Sequence, residues 1–151
     1  MHTLASYLRQ DKPEEPVQRN IALSLASYNI GAVAENTYTN GVTAYAGKAY
    51  MLSDGFRKEK LMIVGLQECR SRKGGTSQIG DFHRVIPDPK GPAAGDVELW
   101  FNTKIPWDQE DSTTTLQPKD AQIVATGPKF MIVHLGNKWM NIDVVVAHAP
   151  H

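Results

Sequence analysis

The chain has 151 residues and a mass of 16.7 kDa, enough for one compact domain with its own core. Sixteen Lys and Arg balance sixteen Asp and Glu, which argues against a histone-like or tail-driven polyanion binder but leaves room for a small phosphate site neutralised by a metal ion. A hydrophobic content of 41% excludes a disordered chain, and the single cysteine, Cys69, excludes an internal disulfide framework or a multi-cysteine metal site and favours a reducing compartment.

Residues 1–19 read as a polar extension, helical at most over residues 3–9 and closed by Pro13 and Pro16. The extension lacks the basic-then-apolar plan of a secretory signal, and its acidic pair Glu14-Glu15 fits a mitochondrial presequence poorly. With no apolar run of membrane-spanning length, the sequence leads us to expect an intracellular protein, nuclear or cytoplasmic, without a membrane partner.

From Ile21 the texture changes. Ile21 to Tyr28 places Ile21, Leu23 and Leu25 on one face, the period-2 pattern of a strand, and a polar Gly-bearing loop follows through Gly41. Thr43 to Lys60 carries Tyr45, Ala49, Leu52 and Phe56 at helical spacing. Gly47 and Gly55 weaken that helix; Arg57, Lys58 and Lys60 suit its C-terminal dipole. Leu61 to Leu66 is apolar at nearly every position, as expected of a strand buried on both faces. Strand, helix, strand predicts a parallel pair.

Arg70 to Gly80 is polar throughout and reads as a loop. Phe82 to Ile86 and Val97 to Phe101 read as short strands separated by the Pro- and Gly-rich turn Pro87 to Gly95, and residues 103–120 as a surface excursion anchored by Trp107. Ile123 to Thr126, Phe130 to Leu135 and Trp139 to Ala147 are three further strands, with turns at Gly127-Pro128 and Gly136-Asn137-Lys138. Trp100 and Trp139 are expected to pack on the sheets, Cys69 to be a small buried side chain, His83 to face out from its strand, and His134 to face solvent or be satisfied structurally. The fold class is α+β, mainly strands with one or two helices.

Three apolar strands each run into a polar residue: the first into Asn29, the second into Gln67-Glu68, the third into His148. Parallel strands open their carboxyl ends on the same side, where ligand sites of α/β sheets lie. A carboxylate, a carboxamide and an imidazole meeting there suit an oxygen-ligated Mg²⁺ and a phosphate oxyanion. Taken singly, each has an ordinary explanation: Glu68 as a strand-end carboxylate in solvent, Asn29 as a turn residue before Gly31, His148 as a structural histidine. Other chemistries find no support. Gly47-Lys48 lacks the remainder of a P-loop, no G-x-S-x-G nucleophile motif occurs, and His148 with His151 at a chain end makes a poor Zn²⁺ template.

The segments Leu25-Ala26-Ser27-Tyr28-Asn29-Ile30, Ile63-Val64-Gly65-Leu66-Gln67-Glu68-Cys69-Arg70 and Val144-Val145-Val146-Ala147-His148-Ala149-Pro150-His151, in this order, resemble motifs of the endonuclease/exonuclease/phosphatase family. These are Mg²⁺-dependent phosphodiesterases that include DNase I, apurinic endonucleases and the endonuclease domains of non-LTR retrotransposons. Gly95-Asp96-Val97-Glu98-Leu99-Trp100 is a weaker echo of the glycine-led strand between them. The resemblance spans residues 20–151, read as one domain, and implies the N-terminal half of a DNase I-like four-layer α/β sandwich. It implies that Glu68 binds Mg²⁺ (or Mn²⁺) with help from Asn29, that Gln67 holds its neighbours by hydrogen bonds, and that Arg70 meets the nucleic-acid backbone. His148 would act on the phosphate or the leaving oxygen, where DNase I-like members have a catalytic His and many retroelement enzymes a Tyr.

The family's later "GD-x-N" and "SDH"-type segments, which position and activate water, have no counterpart: no Asp-x-Asn occurs, and Ser53-Asp54-Gly55 falls in the predicted helix. The expectation is a truncated DNA phosphodiesterase, inactive or weak alone, with an exposed apolar sheet face awaiting a missing C-terminal half or a partner chain. The same motifs are shared by phosphomonoesterases and lipid phosphodiesterases of this fold, and a non-catalytic binding domain is the alternative from another class. Arg70, Arg72 and Lys73 form the only compact basic cluster beside the predicted site and lean toward a polyanion.

Overall fold

A computed structural model describes residues 18–31, 47–71, 73–88, 90–91 and 95–149; the short helix expected over residues 3–9, most of the 30–41 loop, Tyr45, Arg72 and His151 lie outside them. The described residues form a mixed α+β fold of one α-helix and eight strands in two sheets. Strands β1 (Leu25–Asn29), β2 (Ile63–Gln67), β3 (Gly75–Ile79), β4 (Phe82–Ile86) and β5 (Val97–Asn102) make a five-stranded sheet in the order β1-β2-β5-β4-β3. Strands β6 (Ala121–Gly127), β7 (Phe130–Gly136) and β8 (Asn141–Ala147) make a three-stranded antiparallel sheet in chain order. Helix α1 (Lys48–Lys58) joins β1 to β2, and these two strands pair in parallel as the strand-helix-strand pattern predicts.

Strand alternation sorts the side chains into two cores. Ile63, Val85, Val97, Leu99 and Phe101 of the larger sheet face Met131, Val133, Leu135 and Val146 of the smaller one, joined by Trp107, Leu116 and Met140 from the connections. Val64, Leu66, Phe82 and Trp100 point the other way and meet Ala49 and Phe56 of α1. Three layers result: helix, sheet, sheet. Each fully buried aliphatic or aromatic side chain contributes roughly 1.5–3 kcal/mol, and these two clusters outweigh the cost of Gly55 inside α1. The helix also ties itself to the sheet through Ser53, whose hydroxyl donates to the Ile79 carbonyl at 3.0 Å. Asp54 pairs with Arg57 and Lys58 on its outer side.

Three expectations need correction. Residues 75–79, read as part of a polar loop, form β3; it is an edge strand with only Ile79 buried, so it shows no alternation of apolar residues. Its hairpin turn carries Gly80 at φ +54°, where a Cβ would stand 2.6 Å from the Ser53 hydroxyl. The 103–120 excursion is irregular, but it folds back on the core: Trp107 and Leu116 are both buried. His83 does not face solvent. It is 7% exposed, on the same side of β4 as Val85, with its ring centroid 5.1 Å from that of Phe101.

Burial lowers the His83 pKa from its ordinary 6.5. Its neutral form therefore supports folding above that value, and the support is lost as pH falls from 6.5 toward the depressed native pKa, because only the unfolded chain then gains the proton. We expect the thermal midpoint to drop as pH falls below about 6.5, and His83→Phe to flatten that drop. An unchanged pH slope in the variant would show that other groups set acid sensitivity in this window. The lowered pKa values of Asp54 and Asp111, set chiefly by hydrogen bonds from Lys58 and from Thr113, act only at more acidic pH.

Candidate functional site

The parallel register sets Asn29 directly beside Gln67, so β1 and β2 end at the same level. Strand alternation gives Asn29 and Gln67 the face that carries Ser27 and Gly65, opposite the helix. Gln67 Nε2 donates to Ser27 Oγ at 2.7 Å, and the Gln67 carbonyl accepts from the Ile30 amide at 3.2 Å. The third element arrives over Gly65: a Cβ there would lie 3.3 Å from Val146 Cγ1. The glycine lets β8 pack closely on β2, and two residues further on, His148 reaches the ends of β1 and β2. The His148 backbone is held by its amide, which donates to the Lys129 carbonyl at 2.8 Å.

Plain alternation would send Glu68 to the helix side with Leu66. It does not go there. Glu68 has φ +55°, as does Arg70, and the chain turns sharply out of the strand between them. Asn29 Nδ2 donates to Glu68 Oε1 at 2.8 Å, and His148 Nε2 lies 3.4 Å from the same oxygen. The Glu68 and His148 side chains are 25% and 10% exposed, so the pocket is open enough for solvent on the carboxylate side. Asn29 Oδ1 accepts from the Gly31 amide at 3.2 Å, which fixes the carboxamide flip. Thus the carboxylate, carboxamide and imidazole from three distant segments share one site. Gln67 lies beside Asn29 in the register but spends its side-chain amide on Ser27, and Arg70 is exposed.

Sequence reasoning missed two acidic residues. Asp96 approaches the other imidazole nitrogen, with its carboxylate oxygens 3.2 and 3.3 Å from His148 Nδ1. The ring is thereby oriented between two carboxylates, Asp96 behind and Glu68 in front. Glu98 lies deeper, fully buried, and accepts from Arg84 Nη2 at 3.0 Å, from Trp100 Nε1 at 2.6 Å and from Ser71 Oγ. The available signal was an acid at the start of an otherwise apolar strand, but apart from Trp100 the partners lie 14 to 52 residues away in sequence. Cys69, between Glu68 and Arg70, is buried; desolvation pushes its thiol pKa up, so it is not a nucleophile at neutral pH.

As to metals, among the described residues no group of three or more His, Cys, Asp or Glu is placed to hold an ion by itself. Mg²⁺ does not require one: it retains waters and is commonly bound by one or two carboxylates together with substrate phosphate oxygens. Glu68, partly exposed and flanked by the Asn29 carboxamide, offers hard oxygen donors of that kind. No helix of the described residues is long and apolar enough to cross a membrane. No family model matches the chain, and neither a curated protein nor a solved structure matches it.

Proposed function

We propose that this chain is a Mg²⁺-dependent phosphodiesterase-type domain of the endonuclease/exonuclease/phosphatase kind, acting on DNA as a retroelement endonuclease does. One observation carries the reading: Asn29, Glu68 and His148, each at the end of an apolar strand, meet within hydrogen-bonding or ion-pairing reach at the carboxyl ends of a parallel pair. The order of their motifs along the sequence and the β-rich two-sheet architecture agree with a DNase I-like sandwich.

In this reading Glu68 would hold Mg²⁺ with the Asn29 carboxamide beside it, and the bound ion would supply the positive charge that a phosphate requires. Asn29 keeps Glu68 Oε1 in place and has its own oxygen fixed by Gly31. His148, oriented by Asp96, presents a ring nitrogen to a phosphate oxygen or to the departing oxygen. Losing one preorganised donor of this type costs about 10²–10³ in rate. Arg70 and Lys73, both exposed and close after Glu68 in sequence, are the cations we assign to a polyanion. Residues that activate water in the family find no counterpart in this sequence, so we assign the chain weak activity by itself and a complementary segment or partner chain for full activity.

The test is plasmid nicking with Mg²⁺ by the full chain, by Glu68→Ala and by His148→Ala. We expect slow nicking by the parent chain and at least a hundredfold loss in both variants. Nicking that persists in Glu68→Ala would remove the assignment. Turnover of a phosphate monoester without plasmid nicking would move the substrate to the phosphomonoesterase branch.

A further inference from the structure

Two non-glycine residues in the left-handed region, Glu68 and Arg70, sit in one turn of four residues. Each such conformation costs on the order of 1–3 kcal/mol and persists only where its surroundings over-determine it. Here the turn leads into the side chain that meets Asn29 and His148, and what holds it is the segment Gly95–Glu98. The Asp96 carbonyl accepts from the Cys69 amide at 3.2 Å. Gly95, at φ +75°, lets the two backbones approach: a Cβ on it would stand 3.0 Å from the Ser71 carbonyl oxygen. Glu98 accepts from the Ser71 hydroxyl, closing the far end of the turn.

Glu98 is itself immobilised. Arg84 reaches it from β4 with Nε and Nη2 at 3.0–3.2 Å, and the guanidinium lies 5.0 Å from the Trp100 ring centroid. Core stability alone does not call for a carboxylate here, since replacing a buried ion pair by apolar residues of similar volume is often neutral or stabilising. Glu98 does something an apolar side chain would not: it grips the turn that carries Glu68.

We propose that Glu98, through its hydrogen bond from Ser71, is a positioning residue that holds the strained Glu68–Arg70 turn and so sets the cation affinity of the site. The inference rests on the reading of Glu68 as a cation ligand. Outer partners of metal ligands typically change affinity by ten- to a hundredfold when removed, and a contact acting through the backbone of a turn belongs at the lower end.

The experiment is a Mn²⁺ titration of the full chain followed by electron paramagnetic resonance of the free ion, with amide exchange of Cys69 measured by NMR without metal. We expect Ser71→Ala to raise the Mn²⁺ Kd about tenfold and to speed Cys69 amide exchange relative to the amides of β2. Ser71→Thr, which keeps the hydroxyl, restores both. Glu98→Gln, which retains volume and an acceptor oxygen for Ser71, falls between them. The proposal is overturned if Ser71→Ala binds Mn²⁺ as the parent does while Glu68→Gln has lost binding. Should Glu68→Gln itself bind as the parent does, the underlying cation reading fails, a different result from the first. If Ser71→Ala does not fold, an unchanged Kd and unchanged Cys69 exchange in Glu98→Gln overturn the proposal.

Discussion

Glu98→Ala is expected to lower the unfolding free energy by about 3–5 kcal/mol, the usual cost of removing one partner of a buried ion pair. The carboxylate has no solvent exposure, and its loss strands three groups at once. The Arg84 guanidinium, whose side chain is 15% exposed, keeps its charge without an anion. Trp100 Nε1 is left inside the helix-side core without its acceptor, and Ser71 loses the tie to the turn. Urea unfolding followed by tryptophan fluorescence reads the change. Converting both Glu98 and Arg84 to methionine is expected to recover most of the loss, because an apolar pair of similar volume avoids both desolvation penalties. A cost below about 1 kcal/mol for Glu98→Ala would mean that water replaces the carboxylate and that the network is weaker than its burial implies.

Much of this fold was legible because its strands are governed by simple alternation. Leu61 to Leu66 reads as buried on both faces, and β2 is so, with α1 on one side and β8 on the other. The helical stripe of Ala49, Leu52 and Phe56 packs as its spacing predicts. β3 was not legible: its residues Gly75-Thr76-Ser77-Gln78 are exposed, and only pairing with β4 makes them a strand. His83 deceived for the opposite reason, since a polar residue beside Phe82 looks like the solvent face of an alternating strand, whereas β4 is covered on both sides.

The site divides in the same way. Asn29, Gln67, Glu68 and His148 were visible as polar ends of apolar runs. Their convergence depends on β8 crossing Gly65 and on the left-handed turn at Glu68, neither of which a one-dimensional pattern contains. Asp96 and Glu98 were visible as residues but not as partners, because the imidazole and the guanidinium they bind come from other strands. What the sequence does carry is Gly95 beside them, the residue that the close approach of the Ser71 backbone requires.

The second large effect concerns the open edges. The inner faces of the two sheets cover one another, so the uncovered apolar face expected of half a sandwich is not between the sheets. Instead β1 ends one sheet and β8 ends the other, and among the described residues neither has a partner on its outer edge. A groove of about 460 Å³ runs between them, lined by Leu25, Ala26, Ile63 and Val144 to Ala147 among others, while Leu25 and Val145 are 58% and 60% exposed. Edge strands are ordinarily protected by lysine, proline, bulges or a covering element; β1 has no charge at all, and β8 carries only Asp143, which is engaged with His134. We therefore expect the full chain to self-associate at micromolar concentrations, eluting well above the 16.7 kDa of one copy. The double variant Leu25→Lys/Val145→Lys is expected to shift it toward a monomer by charging both edges, without touching Asn29, Glu68 or His148. A parent chain that elutes as a monomer and melts in one sharp transition would show that these two edges need no partner strand, and the complementary segment assigned to the active form would then have to dock elsewhere.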